Sequence, residues 1–372
     1  MGALGRSMVA RLRGFDVGSG SVPMTAVGQF PFGPVGTARL QAPTRLVRRT
    51  TSGETWIQDV FSSGDDEADD LPPFEPVRPA LGGPSAPFAT AQVMPAPAPE
   101  DYARSVATAV QQIRAGALEK VVLARTMQVT ADRTLDPVRL AARLRAVDPQ
   151  AYTFIAPATD AREAHPILPL LVGASPELLV SRRGRSVRST PLAGSAPRSG
   201  DPEQDRANAD ALFASDKNRH EHAIVVDAIA ETLQPFCDEL TWDLEPVLLE
   251  TANVWHLATR FEGTLRDPAP NVVELVAALH PTPAVCGTPE VVARATIAEL
   301  EDFDRGGYAG PVGWLDAEGD GEWAIALRCA ELVDDRATLF AGAGIVGDSV
   351  PDAEVEETDR KFRAFLDSLR WG

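Results

Sequence analysis

Cysteine is scarce in this sequence. Cys237, Cys286 and Cys329 stand far apart along the 372 residues, and no two of them form a CxxC pair. Small disulfide-stapled domains carry a much denser cysteine set, and structural zinc sites use closely spaced cysteines. The sequence therefore indicates neither a disulfide framework nor a cysteine-based zinc site.

Long apolar segments are absent as well. No run approaches the ~18 consecutive apolar residues that a membrane-spanning helix needs. The first twenty residues contain Arg6, Arg11 and Arg13 but no hydrophobic segment of the kind found in a secretory signal. These absences predict a cytoplasmic protein with no membrane partner.

Positive charge is in short supply. Lys and Arg number 35 against 53 Asp and Glu, which gives a formal net charge of -18. Nucleic acids and anionic membranes attract basic surfaces, so neither is expected as the main partner. A small anionic substrate held by a few buried cations remains compatible with this charge. The hydrophobic share of 44% is sufficient for a large core.

The order of the segments indicates the fold class. Strand patterns come in blocks, with helical patterns grouped between them and no internal repeat. This order predicts an α+β fold with mainly antiparallel sheets. We expect an N-terminal tail at 1–20 and a single domain at 21–372. Within that domain, about 62–99 is acidic and then rich in Pro, Ala and Gly, which is typical of a linker.

The C-terminal stretch around 339–361 combines a glycine-rich strand end with a charged helix. Glu354, Glu357 and Lys361 fall on one narrow stripe at about 100° per residue. That stripe borders the apolar stripe containing Phe362, whereas a solvated charge run usually lies opposite the core. The placement favours a metal or substrate site, and the alternative is a surface Glu357–Lys361 pair.

Glu221 is predicted to lie on the apolar face of a helix that begins near Lys217. A buried carboxylate needs a cation, a metal or a proton. One interpretation is a buried ion pair with Arg219 or His222. The other, strengthened by the carboxylates of the C-terminal helix, is a shared Mg²⁺ held by hard oxygen ligands.

Three further positions have chemical potential, each with a structural alternative. Glu177 lies among apolar residues, where burial would keep its carboxyl protonated as a general acid requires. Lys120 shares a strand face with apolar residues, where burial would favour the neutral amine that a base needs. Without partners, Glu177 would be a carboxylate bonded to nearby N–H groups and Lys120 a strand-edge lysine.

His280 and Arg328 complete the candidates. His280 precedes a proline turn and is predicted either to donate to a substrate oxygen or to pack within its loop. Arg328 is predicted to lie on a core strand. A buried arginine requires a bidentate carboxylate, which either the protein or a ligand can supply.

Taken together in chain order, eight motifs resemble the chorismate-utilising enzyme family. They are KVVLAR, GASPELL, STPLAGS, DKNRHEH, LHPTPAVCGTP, GPVGW, FAGAGIV and EVEETDRK. The resemblance extends from about Gln29 to the C-terminus. It implies one large α+β domain with two stacked antiparallel β-sheets, helices outside and the site in a cleft.

The resemblance also distinguishes among members. Lys120 matches the base of enzymes that add water at C2 of chorismate. Ala193 stands where one class carries a lysine nucleophile, and the run around Ala284 is similar to that of members forming isochorismate. No Gly-x-Cys-x-Gly element is present, so no glutamine amidotransferase subunit or domain is expected. The implied activity is isomerisation of chorismate to isochorismate.

The resemblance further implies a role for each site residue. Mg²⁺ would be held by Glu221 and Glu357, with Glu354 assisting through a bound water. Lys120 would be the base and Glu177 the acid that protonates the departing C4 hydroxyl. The implied contacts to chorismate come from Ala193, Gly194, His280, Ala284, Arg328, Gly342, Gly344 and Lys361.

Two other functions remain open from the sequence. One is a lyase that forms isochorismate and then eliminates pyruvate to give salicylate. The other is a non-catalytic subunit that binds chorismate, although the base, the acid and both metal carboxylates are retained. The fate of the product, in menaquinone, siderophore or salicylate synthesis, stays open, and a monomer is expected.

Overall fold

The computed structural model describes residues 1–13, 23–33, 36–49, 55–59, 92–158 and 168–369. The helices are α1 Gly2–Arg13, α2 Pro99–Arg114, α3 Pro137–Val147, α4 Pro202–Ala214, α5 Asp216–Leu233, α6 Val272–Leu279, α7 Glu290–Leu300 and α8 Pro351–Leu369. The strands are β1 Thr25–Gln29, β2 Arg39–Gln41, β3 Arg45–Arg49, β4 Thr55–Asp59, β5 Gln92–Ala96, β6 Lys120–Thr130, β7 Tyr152–Pro157, β8 Leu170–Ser175, β9 Leu178–Arg183, β10 Ser186–Thr190, β11 Leu192–Pro197, β12 Cys237–Trp242, β13 Val247–Glu250, β14 Val254–Ala258, β15 Phe261–Leu265, β16 Gly287–Thr288, β17 Pro311–Asp316, β18 Gly321–Ile325, β19 Cys329–Val333 and β20 Arg336–Ile345.

Local sequence sets where several helices begin. The Asp136 side chain accepts hydrogen bonds from the backbone N–H groups at the start of α3, and Pro137 occupies the first helical position. At α6, Asn271 and Glu274 form a capping box. At α5, Ser215 accepts from the backbone N–H of Asn218. Each cap satisfies N–H groups that have no partner within the helix.

Two large antiparallel sheets dominate the described part of the chain. One has the strand order β12-β15-β10-β9-β18-β17-β1-β2. The other has the order β16-β6-β20-β19-β8-β7, with β5 also paired to β6. The central β6–β20 ladder is long, running from Arg336↔Thr130 to Ile345↔Val121. A three-stranded sheet, β11-β14-β13, and the β3–β4 pair are additional.

One hydrophobic core contains side chains from both large sheets. It includes Leu123 of β6 together with Val180 of β9 and Ile325 of β18. A second cluster lies where α3 and α8 cover the β6–β20 sheet, with Leu140 and Phe362 among its residues. The predicted α+β class with large antiparallel sheets and outer helices is therefore confirmed. The two smaller sheets were not part of the prediction.

The predicted N-terminal tail and the predicted linker both fall partly outside the described residues. Within 1–20, the structure shows helix α1, whose Leu12 is buried and which contacts α6. No helix was expected there, and residues 14–22 lie outside the description. Of the acidic linker expected at about 62–99, the part up to residue 91 lies outside the described residues. From Gln92 to Ala96 the chain forms β5, paired with β6, so this part is a strand. The division into tail and domain stays a prediction.

No helix among the described residues is both long enough and apolar enough to span a membrane.

Candidate active site

A cleft lies along the face of β6 and β20 that carries Val122, Gly342 and Gly344. Its walls come from many separate segments. The predicted site residues that line it are Glu177, Ala193, Gly194, Glu221, Ala284, Arg328, Gly342, Gly344, Glu357 and Lys361. Further lining comes from Val122, Pro176, Leu192, Ser195, His256, Val285, Tyr308, Ala309, Leu327, Phe340 and Ala341. Residues far apart in sequence therefore converge on one site.

Lys120 lies directly behind this lining, next to Glu221. Its side chain is fully buried, and Nζ lies 3.0 Å from Oε1 of Glu221. The distance is that of an ion pair, but Nζ has no well-aligned hydrogen bond. Neither Arg219 nor His222, the partners considered from sequence, holds Glu221, because Arg219 pairs with Glu245 and His222 contacts Thr259. The buried carboxylate is thus balanced by the candidate base.

Glu177 lies at the turn between β8 and β9, and only 2% of the residue is exposed. Burial raises the pKa of its carboxyl from 4.5 to about 8, against the opposing charge of Lys120 and a hydrogen bond from the backbone of Leu192. Arg328 and Lys361 also oppose the rise. Since this pKa lies above 7, the carboxyl holds its proton at neutral pH, as a general acid requires.

Helix α8 presents its predicted stripe to the cleft. Oε1 of Glu357 accepts a hydrogen bond of 2.6 Å from Nζ of Lys361, which also donates to the Gly342 carbonyl at 2.8 Å. Oε1 of Glu354 accepts a bond of 2.7 Å from Nζ of Lys217. Glu354 is buried but does not line the cleft.

The two α8 carboxyls titrate differently. Burial and then the charge of Glu357 raise the pKa of Glu354. Burial alone would raise the pKa of Glu357 too, but the adjacent Lys361 ammonium and a hydrogen bond from Ser195 lower it to about 2. The Glu357 carboxylate is therefore ionised at neutral pH and places a negative charge at the cleft surface.

A chain of hydrogen bonds joins Arg328, His256 and Gly194. Nη2 of Arg328 donates to Nε2 of His256 at 3.1 Å, and Nδ1 of that ring lies 3.1 Å from the Gly194 carbonyl. Burial, followed by the charges of Arg328 and Lys361, lowers the pKa of His256 to about 3. The neutral ring accepts from Arg328 and donates to Gly194, which assigns its tautomer. Among the described residues, Arg328 is thus hydrogen-bonded to a histidine rather than to a carboxylate. The prediction that Arg328 lies on a core strand was wrong, because its φ of 48° places it in a bend directly before β19.

Gly344 permits the closest approach in the cleft. A Cβ built there would lie 2.0 Å from Oε1 of Glu221 and 3.2 Å from Cε of Lys120. At Gly342, a Cβ would lie 2.9 Å from the Tyr308 hydroxyl. The glycines of β20 thus leave room for Glu221 and Tyr308 against the strand.

His280 lies outside the cleft lining. Its Nε2 lies 3.3 Å from the Phe32 carbonyl, and the ring packs edge-on against Phe32 with centroids 6.1 Å apart. This placement corresponds to the loop-packing alternative. The structure does not bring His280 together with the other candidate substrate contacts.

The carboxylates of the cleft provide the hard oxygen atoms that Mg²⁺ prefers. Glu221 on α5 and Glu357 on α8 both line the cleft, and each faces a lysine rather than another carboxylate. Among the described residues, the carboxylate triad whose oxygens lie within 4.8 Å of one another is Asp316, Glu318 and Asp320 instead. The carboxylate oxygens of Glu221 and Glu357 therefore suit a divalent cation, which would take the place of the lysine ammonium groups that now face them.

A family model described as chorismate binding enzyme matches residues 82–370. The chain belongs to this family. Isochorismate synthase DhbC of Bacillus subtilis (strain 168) is 46% identical over 280 residues, which are 75% of this chain and 70% of that protein. The vibriobactin-specific isochorismate synthase of Vibrio cholerae is 40% identical over 276 residues, covering 74% of this chain and 68% of the relative.

Solved structures of chorismate binding enzymes share the fold. The solved structure of MenF, the menaquinone-specific isochorismate synthase from Escherichia coli, superposes with a TM-score of 0.81 at 28% identity. The alignment covers 99% of this chain and 83% of MenF. Nearly every described element therefore has a counterpart in this chorismate binding enzyme.

Sequence patterns missed two cleft-side residues of this family member. Lys217 precedes Glu221 by four positions, so both lie on one side of α5, and this spacing was a usable signal. The pKa of Lys217 is raised, against burial, first by the charge of Glu354 and also by Glu221 and Glu357. His256 interrupts the apolar strand β14, and a lone histidine in such a strand is the only local sign of its position.

Proposed function

We propose that this chain converts chorismate into isochorismate, an isomerisation by water addition at C2 and loss of the C4 hydroxyl. The observation that carries the proposal is the Glu177 carboxyl, protonated at neutral pH, in a cleft whose lining residue Glu221 contacts the buried Lys120 side chain directly behind it. The two isochorismate synthases reported above share 40 to 46% of their aligned residues with this chain, which supports the same reaction.

Lys120 is the proposed base. In its neutral form the amine takes a proton from a water molecule as the water oxygen bonds to C2. Nζ now lies 3.0 Å from Glu221, so the lysine must turn from that carboxylate towards the substrate. The Glu221 carboxylate would be free to hold Mg²⁺ once the lysine has turned away from it.

Glu177 is the proposed acid. As the C4–O bond breaks, its carboxyl gives a proton to the leaving oxygen, which departs as water while the ring double bonds shift. One proton is gained by Lys120 and one is lost by Glu177, so a proton returned through solvent restores the site. Burial of Glu177 serves the step directly, because it keeps the proton available near neutral pH.

Mg²⁺ is the proposed cofactor, held by Glu221 and Glu357 with Glu354 assisting behind them. When bound, it neutralises a carboxylate of the substrate. Lys361 and Lys217 balance the α8 carboxylates in this structure, and each would offer a positive charge to the substrate if Mg²⁺ were bound. Among them, Lys361 lines the cleft and is the better placed for the substrate.

The second carboxylate of chorismate is proposed to meet Arg328 and Lys361, with the Gly344 backbone alongside. His256 fixes the Arg328 guanidinium by accepting from Nη2. The small lining residues that shape the remaining wall are Ala193, Gly194, Ala284 and Gly342. His280 is left out of the proposed contacts because its ring packs on Phe32.

The deciding experiment is incubation of the pure protein with chorismate and Mg²⁺, followed by chromatography of the products. Isochorismate as the sole product is expected. Salicylate together with pyruvate would assign the lyase activity instead, and absence of turnover would favour a chorismate-binding subunit. Lys120→Ala and a sample treated with a chelator serve as controls and should both be inactive.

We also propose that the protein acts as a cytoplasmic monomer without a glutamine amidotransferase subunit. Because no ammonia is used in the proposed reaction, water alone should sustain full activity. Light scattering of the purified protein tests the monomer. Added ammonium salts should leave the rate unchanged and yield no aminated product.

A further inference from the structure

The outer edge of β6 is interrupted at the level of the cleft. β16 pairs with this edge at Lys120 and Val121, and β5 pairs with it from Thr126 onwards. Between these two strands, the Val122 carbonyl and the Ala124 N–H point to the same edge. Unpaired backbone groups at a buried edge are costly, so these two must be satisfied by other means.

Arg305 and Glu301 fill the interruption with side chains. Nη2 of Arg305 donates to the Val122 carbonyl at 2.7 Å, and Oε1 of Glu301 accepts from the Ala124 N–H at 2.7 Å. Glu301 in turn holds the guanidinium through Nε at 2.8 Å. Both side chains are almost fully buried, at 3% and 2% exposure. The pair takes the place of a strand for two residues of β6.

Arg305 also reaches two other walls of the cleft, one through its guanidinium and one through its backbone carbonyl. Nη1 donates to the Val285 carbonyl at 2.8 Å, and the backbone carbonyl of Arg305 accepts from the Tyr308 N–H at 2.8 Å. Val122, Val285 and Tyr308 all line the cleft. Arg305 therefore ties together three segments that are distant in sequence, each with a residue at the cleft surface.

A buried ion pair is an expensive way to provide stability alone, because apolar residues of similar volume often serve as well. Here the guanidinium offers something that apolar side chains cannot, namely two directed hydrogen bonds to the cleft walls, at the Val122 and Val285 carbonyls. We propose that Arg305, held by Glu301, is a positioning residue that fixes the β6 segment carrying Lys120 against the 285 and 308 walls. This inference rests on the proposed function, because it gives Lys120 a role that requires accurate placement.

Arg305→Lys tests the proposal, since lysine keeps the charge but cannot make the forked contacts. We expect kcat to fall by about tenfold to a hundredfold, as small misplacements of reacting groups do. KM for chorismate should change by less than about threefold. The proposed carboxylate contacts, Arg328 and Lys361, lie outside the segments that Arg305 holds.

Arg182→Lys is the matched control. Arg182 is also a buried arginine, with Nη1 donating to Asp320 and to the Glu318 carbonyl, but these partners, unlike those of Arg305, do not line the cleft. The control should lose a similar amount of thermal stability and keep kcat within about twofold of wild type. Such a split between stability and kcat separates positioning from support of the fold.

Glu301→Gln provides a second variant should Arg305→Lys fail to fold. It keeps an acceptor for the Ala124 N–H but weakens the hold on Arg305, so a loss in kcat of about threefold to tenfold is expected. A folded Arg305→Lys protein with kcat within about twofold of wild type would overturn the proposal. If only Glu301→Gln folds, the same result in that variant would overturn it.

Amide exchange separates this proposal from the proposed function. In Arg305→Lys, the amides of 120–124 should exchange at least about tenfold faster than in wild type, with no such change in Arg182→Lys. If the wild-type protein made no isochorismate, the proposed function would fail. The positioning proposal would then be decided by exchange alone, and unchanged protection of these amides would reject it.

Discussion

Two groups of three carboxylates differ in what balances their charge. The cleft group is Glu221, Glu354 and Glu357, and the turn group, between β17 and β18, is Asp316, Glu318 and Asp320. The turn group is the tighter one, with oxygens within 4.8 Å of one another. By distance alone, the turn would be the better candidate for a cation.

The turn group is held by donors that belong to the fold. Oδ1 of Asp316 accepts from the backbone N–H groups of Glu318 and Asp320, both at 2.9 Å. Oδ1 of Asp320 accepts from Arg182 and from the Gly184 N–H, both at 2.8 Å. These bonds close the turn, so the carboxylates of Asp316 and Asp320 are already used in folding.

The cleft group is balanced by lysine ends instead. Lys120, Lys217 and Lys361 each face one of its carboxylates, at 3.0, 2.7 and 2.6 Å. An ammonium on a flexible stem is a point charge that another cation can replace. The two groups therefore differ in how readily their counter-charge can be exchanged, and on this ground the cleft group, despite its wider spacing, is the one proposed to hold Mg²⁺.

The largest expected effect comes from removing a charge in the cleft group. Glu221→Gln and Glu357→Gln should each abolish Mg²⁺-dependent turnover, a loss greater than about a thousandfold, because a catalytic metal supplies several kcal/mol. Steady-state rates at limiting Mg²⁺ and calorimetric Mg²⁺ binding in the presence of substrate measure this. Asp320→Asn is the control from the turn group. Near-normal activity in either cleft variant would contradict the metal assignment.

Glu177 extends the comparison to a cleft carboxyl without a lysine in hydrogen-bond contact. Glu177→Gln should slow turnover at least about a hundredfold, the usual contribution of a positioned acid. Its pKa is raised on folding, so the stability tied to the proton is lost as pH rises from 4.5 through about 8. The variant should therefore melt above wild type at alkaline pH, as calorimetry can show. A lower melting temperature there would mean that the buried carboxyl is better tolerated than its pKa implies.

The pH profile gives a smaller and more specific effect. Activity requires the protonated form of Glu177, so kcat should decline on the alkaline side as pH rises through about 8. Because Lys361 opposes the raised pKa, Lys361→Gln should move this alkaline limb to higher pH. Stopped assays between neutral and alkaline pH measure the limb. A limb that stays in place in Lys361→Gln would exclude Glu177 as its source.

The turn group should give the smallest effect on the reaction. Asp320→Asn weakens the contacts with Arg182 and the Gly184 N–H, at a cost of about 1–3 kcal/mol in the free energy of unfolding. Denaturant titration measures that loss. The rate at saturating Mg²⁺ should stay within about twofold of wild type, and a Mg²⁺-dependent loss would show that the two groups are not independent.

Helical spacing alone located much of the cleft group. The stripe on α8 and the placement of Glu221 on the apolar face of α5 both follow from positions about 100° apart. The same spacing relates Lys217 to Glu221. A lysine four residues before a glutamate is usually part of a surface ion pair, so this spacing alone does not mark Lys217 as a site residue. In α1, Met8, Val9 and Leu12 have helical spacing too and are buried.

Long-range pairing was beyond the reach of local patterns. Lys120 meets Glu221, and Arg305 meets Val122, only because β6 is the centre of a sheet assembled from distant segments. Nothing within a few residues of Arg305 shows that its partners are backbone carbonyls. The same applies to His256, whose acceptor and donor partners come from separate strands and loops.

Gly344 has a consequence for how variants of this protein can be selected. Even one methyl group there would overlap Oε1 of Glu221, at 2.0 Å. In a library that carries every amino acid at position 344 and is screened for isochorismate formation, only glycine should be tolerated. Position 343, on the opposite face of the same strand, faces the hydrophobic core and should accept other small residues. Among the active variants, position 344 would then show a single amino acid and position 343 several. This contrast would identify the strand face that forms the cleft without a structure.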